Sequence, residues 1–215
     1  LKKMKKTNMI EIKPNIINLF PTPVYLSTTE IKLTEKELDF VNKTKEDFFL
    51  STGNTRSKDS YILENEEFLS IKKVLEKEVE NYFETILKSA DVKPYITQSW
   101  LNYTQVNQYH HAHYHANSLV SGVFYIDADK HNDQISFIKP NVFGRQIELN
   151  VTEYNDWNSQ SWSLPTETGD LFLFPSTLDH TVDFKKGTNT RISLAFNVFV
   201  KGILGKKNSL TFLKI

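Results

Sequence analysis

The chain has 215 residues, 26 Lys and Arg against 26 Asp and Glu, and no cysteine. At roughly 100–200 residues per domain this is one domain, long enough to bury a core without covalent staples. The missing cysteines exclude disulfides, thiolate zinc sites, iron–sulfur clusters and a cysteine nucleophile, while the even charge argues against a dedicated polyanion binder, though not against a local patch that holds nucleic acid.

At the N-terminus, Lys2-Lys3-Met4-Lys5-Lys6 has the basic character of a signal peptide, but Glu11, Lys13, Pro14, Pro21 and Pro23 break the apolar run that must follow. No run approaches the roughly 18 apolar residues of a spanning helix, so a cytoplasmic protein without a membrane role is expected. Leu1 is not an initiator residue; Met4 or Met9 is the expected native start, unless the chain is processed.

Two helices are predicted in the first part of the chain. Thr34-Glu35-Lys36-Glu37 is a capping box, with Leu33 and Leu38 placed as a hydrophobic staple, and Leu38, Val41, Phe48 and Phe49 extend a helical stripe to about residue 50. A second helix starts near Asn65 with Glu66 and Glu67 in its first turn. It carries Phe68, Ile71, Leu75, Val79, Tyr82, Phe83, Ile86 and Leu87 on one face and ends before Pro94. These stripes are core-facing surfaces.

Only Gly53 precedes residue 120, and six glycines follow it, so the second part should be rich in turns. Strands are predicted over 96–103, 119–126, 134–138, 146–151, 169–174, 180–182 and 191–200, separated by turn signals and by no helix-length segment. That pattern reads as a sandwich or barrel and argues against a βαβ parallel sheet. The stretch 154–164, with Trp157 and Trp162, has no predicted element and is a candidate substrate-covering loop. A single domain over 1–215 is expected: a helical N-terminal extension over 1–94, a β core over 95–200 and a tail over 201–215.

Four of the six histidines lie at 110, 111, 113 and 115. On a strand, alternation puts His111, His113 and His115 on one face, and an H-x-H pair is a compact metal-binding arrangement. His180 lies 65 residues on, after the apolar run Leu171-Phe172-Leu173-Phe174-Pro175. A histidine pair plus a distant histidine fits a metal site built by facing strands. Eleven residues later Arg191 opens the run Ile192-Ser193-Leu194-Ala195-Phe196-Asn197. A guanidinium in an apolar strand needs an anion: either an internal carboxylate or a ligand carboxylate that meets its planar fork, with the Ser193 hydroxyl on the same face. A metal-binding His followed by Arg-x-Ser suits 2-oxoglutarate, whose keto-acid end chelates the metal while its far carboxylate meets the arginine.

Taken together, several stretches resemble the Fe(II)/2-oxoglutarate oxygenases found in many marine phages and bacteria, distant relatives of the prolyl hydroxylases. They are Leu19-Phe20-Pro21-Thr22-Pro23-Val24-Tyr25, Gln98-Ser99-Trp100-Leu101-Asn102, His113-Tyr114-His115-Ala116-Asn117-Ser118, Ser121-Gly122-Val123-Phe124-Tyr125 and Gly169-Asp170-Leu171-Phe172-Leu173-Phe174-Pro175-Ser176, completed by His180 and the Arg191 run. The resemblance implies a mainly β chain with N-terminal helices, a double-stranded β-helix (jelly-roll) barrel with the helices packed on one sheet. It further implies Fe(II) held by His113, by His115 and by His180, where the family pattern has a carboxylate at the position of His115. Asn117, or a water, is the alternative for that position. Arg191, Ser193 and Asn102 would bind 2-oxoglutarate, with Tyr103 and Tyr109 as weaker candidates beside Asn102. His110 and His111 would sit behind the ligands or face substrate, and His131 would be a surface loop residue.

The implied reaction consumes 2-oxoglutarate and dioxygen, releases succinate and carbon dioxide, and hydroxylates a C–H bond of a small molecule or a protein side chain. A phage-encoded enzyme acting in a host cytoplasm fits the resemblance, nucleic acid is a disfavoured substrate, and the sequence is compatible with a homodimer. Two rivals share the barrel. A cupin-type metal enzyme without 2-oxoglutarate fits the spacing from Gly169 to His180, but residues 116–126 contain no acid and Arg191 would have no role. A non-catalytic jelly-roll binding protein would account for the missing carboxylate, and the combination of His113, His180 and Arg191 argues against it.

Overall fold

The computed structural model describes residues 15–139 and 150–215, so most of the strand predicted over 146–151 lies outside the described residues. The elements are β1 (Tyr25–Thr28), α1 (Glu35–Glu46), β2 (Phe48–Leu50), β3 (Thr55–Ser57), α2 (Leu69–Tyr82), β4 (Val92–Thr104), β5 (His110–His113) and β6 (Val120–Asp127). They continue with β7 (Gln134–Ile138), β8 (Ser161–Pro165), β9 (Asp170–Pro175), β10 (His180–Val182), β11 (Arg191–Leu204) and β12 (Leu213–Lys214).

The capping box forms as expected: the Glu37 amide donates to Thr34 Oγ1 at 3.3 Å and the Thr34 amide donates to Glu37 Oε2 at 2.6 Å. Leu33 packs against the core while Leu38 stays exposed, so no staple closes over the cap. The helix stops at Glu46 rather than near residue 50, because Phe48–Leu50 instead pairs antiparallel with Thr55–Ser57. Gly53 makes that hairpin possible: it sits at φ 90°, and a Cβ there would lie 2.6 Å from the Tyr109 carbonyl oxygen. The second helix is entered through two short 3-10 turns, which moves its start from residue 65 to Leu69. Ile71, Leu75, Val79 and Tyr82 are its buried stripe.

The strands make two antiparallel sheets. The larger runs β1-β9-β6-β11-β4-β3-β2, with β12 added to β11; the smaller runs β5-β10-β7-β8. Strand alternation divides the large sheet between two cores. Leu101 and Tyr103 on β4, Phe124 on β6, Leu171 and Leu173 on β9, and Leu194, Phe196 and Val198 on β11 join the α1 and α2 stripes. Val123, Tyr125, Phe172 and Phe174, on the opposite face, pack with Ile135 and Phe137 of the small sheet. The helices thus cover one face of the large sheet, as expected for the jelly-roll.

Two expectations change. The sheets face one another without closing into a barrel, since no ladder joins them among the described residues; the two longest strands, β4 and β11, pair with each other inside one sheet for their whole length. The element-free stretch 154–164 is shorter than expected, because Ser161–Pro165 pairs with Gln134–Ile138. Trp162 therefore stands on β8, at the opposite edge of the small sheet from β5. At about 4.8 Å per strand that is about 14 Å from the strand of His113. Finally, no helix among the described residues is long and apolar enough to cross a membrane.

Candidate metal centre

His113 and His180 face each other across the β5–β10 ladder, and His115 follows β5 directly, where its amide donates to the Ser176 carbonyl oxygen at 2.9 Å. The three imidazoles each offer a nitrogen within 4.8 Å of the others, and no carboxylate oxygen joins them among the described residues. Their environments set the tautomer. The Nδ1 of His113 lies 2.8 Å from the His111 carbonyl oxygen, that of His180 lies 3.1 Å from the Leu178 carbonyl oxygen, and that of His115 lies 2.5 Å from Asn197 Oδ1. An oxygen acceptor at each Nδ1 fixes the proton there and leaves the Nε2 lone pair free, the arrangement in which imidazole binds a metal.

The Nε2 atoms of His113 and His115 are 3.2 Å apart. Two lone pairs that close repel unless a proton or cation lies between them. Two nitrogens on one ion at about 2.1 Å and a right angle would stand about 3 Å apart, so the observed spacing suits a shared metal. Burial also keeps the rings neutral. It pulls the pKa of His180 down to about 3 and that of His113 to about 4, helped by the neighbouring imidazoles, and it lowers that of His115 against the pull of Asn197.

The remaining histidines do not follow simple alternation. Opposite the three residues His180–Val182, β5 spends four, His110–His113. This bulge shifts the parity of the strand. His110 is the nearer to His113, with their Nδ1 atoms 3.1 Å apart, while the exposed His111 stacks on His110, its ring 5.3 Å from that of His113, and contributes its carbonyl oxygen. His131 is an exposed turn residue, and Asn117 is exposed at φ 55° in the turn after His115.

Asn197 connects this cluster to the rest of the site. On β11, Asn197, Ala195, Ser193 and Arg191 share one face, and their cross-strand partners on β4 are Gln98, Trp100, Asn102 and Thr104. Trp100 lies against His115 with centroids 5.7 Å apart. Asn102 accepts from Asn54 Nδ2 at 3.5 Å, and the Oδ1 of the buried Asn54 has no partner. Between the His115 end and the Arg191 end the face carries only the small side chains of Ala195 and Ser193, a low stretch, or trough, along the strand. Tyr103, on the alternate face of β4, donates to the Val41 carbonyl oxygen at 2.8 Å and so belongs to the helix side, while Tyr109 packs on Phe184.

Arg191 is only 4% exposed. Its Nη2 donates to Thr104 Oγ1 at 3.0 Å, and its Nε has no partner among the described residues. An internal carboxylate does stand nearby, Asp133 with Oδ1 at 3.9 Å from Arg191 Nη1, but that oxygen accepts from the buried Lys185 ammonium at 2.8 Å. Two buried cations therefore share one carboxylate, and a buried donor is left unpaired, an environment that calls for a further anion. Tyr125, which pairs with Ser193 across the β6–β11 ladder, is fully buried here; burial pushes its hydroxyl up to about 12 while Arg191 acts in the opposite sense. A cavity of about 190 Å³ borders this end of the trough, lined in part by Asp133, Lys185 and Arg191.

Sequence reasoning missed Asn197, Trp100, Thr104, Tyr125, Asp133 and Lys185 as site residues. The alternation of β4 and β11 could have brought out the first three. Nothing in Asp183-Phe184-Lys185-Lys186 distinguishes a buried lysine from a solvated charge run.

Residues 98–197 match the family model described as "Putative 2OG-Fe(II) oxygenase". Among curated proteins none matches the sequence. The fold is similar to that of an oxidoreductase of the 2OG-Fe(II) oxygenase family from Burkholderia pseudomallei, at 10% identity and a TM-score of 0.55 over 81% of this chain and 83% of that one. It is also similar to HygX from Streptomyces hygroscopicus, crystallised with nickel, 2-oxoglutarate and hygromycin B, at 9% identity and a TM-score of 0.56 over 82% of each chain. A viral collagen prolyl hydroxylase from Paramecium Bursaria Chlorella virus-1, in complex with 2OG, matches at 11% identity and a TM-score of 0.52 over 81% of this chain and 94% of that one. At such identities the likeness establishes the fold.

Proposed function

We propose, from the match of residues 98–197 to the model of a 2OG-Fe(II) oxygenase family, that this chain hydroxylates a C–H bond of a small molecule or a protein side chain. In this reading His113, His115 and His180 hold the iron through Nε2, and Arg191 holds the far carboxylate of 2-oxoglutarate with help from Ser193, Asn102 and Thr104. Iron, 2-oxoglutarate and dioxygen together supply the oxidising power, with succinate and carbon dioxide as co-products.

The observation that carries the reading is one face of β11. Asn197 anchors His115 at one end, Arg191 waits with an unpaired Nε at the other, and only Ser193 and Ala195 intervene. The chain's own residues bind and orient. The Nδ1 acceptors fix the imidazole lone pairs, Trp100 backs His115, and the buried guanidinium sets the direction of the co-substrate. Three neutral imidazoles bring no negative charge, so charge balance at the metal rests on the 2-oxoglutarate dianion.

The test is turnover of 2-oxoglutarate to succinate by iron-loaded protein in air. Succinate formation that depends on added Fe(II) is expected; its absence across candidate substrates, together with no binding of the keto acid, would leave a non-catalytic jelly-roll. Arg191→Ala should weaken 2-oxoglutarate binding at least tenfold and spare metal binding, as expected for loss of a charged hydrogen-bonding partner. Loss of metal binding in that variant would contradict the assignment.

A further inference from the structure

We infer that Lys185 is a positioning residue for the co-substrate: by engaging Asp133 it keeps the Arg191 guanidinium open to an incoming carboxylate. The inference rests on the reading of Arg191 given above and adds a residue that does not touch the co-substrate.

The argument is one of buried charge. The side chains of Lys185 and Asp133 are 0% and 1% exposed, and that of Arg191 is 4% exposed. Asp133 Oδ1 accepts from Lys185 Nζ at 2.8 Å and stands 3.9 Å from Arg191 Nη1, while its Oδ2 accepts from the Asp129 amide at 2.9 Å. Lys185 is fixed from its other side by Asn189 Oδ1 at 2.9 Å. The cluster therefore holds two positive charges and one negative, and one more carboxylate brings it to neutrality. Without the lysine, Asp133 and Arg191 would form a neutral pair at once. A planar guanidinium and a carboxylate that close adopt the bidentate fork, and the co-substrate would have to displace an ion pair already made. With the lysine in place, Asp133 is held where it is, its Oδ1 3.9 Å from Arg191 Nη1, and the Arg191 Nε has no partner among the described residues. A lysine serving packing alone would not require a carboxylate shared in this way.

The test is the affinity of metal-loaded protein for 2-oxoglutarate under anaerobic conditions, measured by calorimetry for the wild type, Lys185→Met, Asp133→Asn and the double variant. Lys185→Met should bind 2-oxoglutarate at least tenfold more weakly with unchanged affinity for Mn(II) alone. Asp133→Asn should bind at least as tightly as the wild type, and the double variant should recover to within about threefold of Asp133→Asn, because no carboxylate is left to compete. Equal affinity in the wild type and Lys185→Met would overturn the inference. So would a double variant that remains tenfold weaker than Asp133→Asn, since Lys185 would then bind the co-substrate itself; this comparison decides the matter even if Lys185→Met alone does not fold. If the wild type binds no 2-oxoglutarate, the reading of Arg191 falls instead, which separates the two failures.

Discussion

Asn197 does for His115 what main-chain carbonyls do for His113 and His180: it accepts a hydrogen bond from Nδ1–H and leaves Nε2 free toward the other rings. Outer partners of this kind are worth about 10–100-fold in metal affinity. Asn197→Ala should therefore lower affinity for Co(II) or Ni(II) by that range in a folded protein, whereas Asn197→Asp, which still accepts from Nδ1, should keep it. Equal affinity in the alanine variant would mean that His115 is not a ligand. The histidines also set a pH dependence. Their folded pKa values, about 3 for His110 and His180 and about 4 for His113, lie below the ordinary value. Below about pH 6.5 the unfolded chain takes up protons that the folded one refuses, so their contribution is fully present above that pH and is lost as pH falls toward the folded values. The metal-free protein should show a lower urea midpoint at about pH 5 than at about pH 7.5, and His110→Leu should narrow the difference. A midpoint independent of pH across that range would contradict the burial argument.

At the scale of elements, the close contact of β6 and β11 sets the geometry on which both ends of the trough depend. Gly122 pairs with Phe196, and a Cβ on Gly122 would fall 2.1 Å from the Phe196 ring. The ring has no room to withdraw in a core where Phe196 is fully buried. Gly122→Ala should cost about 1–3 kcal/mol by overpacking, read as a lower midpoint in chemical denaturation. An unchanged midpoint would show that β11 can slide. The elements also show how far sequence periodicity reaches. The strands at 134–138 and 180–182 and the start of β11 at Arg191 follow from alternation and turn signals, and the Thr34 cap follows from its spacing to Glu37. The β2–β3 hairpin was hidden because Phe48 and Phe49 also continue the helical stripe, and only the ladder across Gly53 decides between the two. In β5 the bulge opposite His180 changes which histidines share a face, and a bulge is a property of the pairing rather than of either strand.

Across the whole molecule, the proposed site joins four parts of the chain. The small sheet supplies His113 and His180, the turn after β5 supplies His115, the large sheet supplies Asn197, Trp100 and Arg191, and the loop segments flanking β7 and β10 supply Asp133 and Lys185. The histidine cluster and the buried arginine were legible because their residue types are rare in apolar strands. The Lys185–Asp133 pair was not, because burial of a charged loop residue is decided by packing of distant segments. In the same assembly, the ring of His115 is held by an amide from the other sheet.

The most direct measurement is anaerobic titration of 2-oxoglutarate into the Fe(II)-loaded protein, followed by visible absorption. A chelated keto acid on iron gives a weak visible charge-transfer band, so the wild type should develop it saturably, His180→Ala should not, and Arg191→Ala should require at least tenfold more 2-oxoglutarate. A wild type that binds Fe(II) yet gives no band at saturating 2-oxoglutarate, or a band that survives loss of His180, would contradict the account.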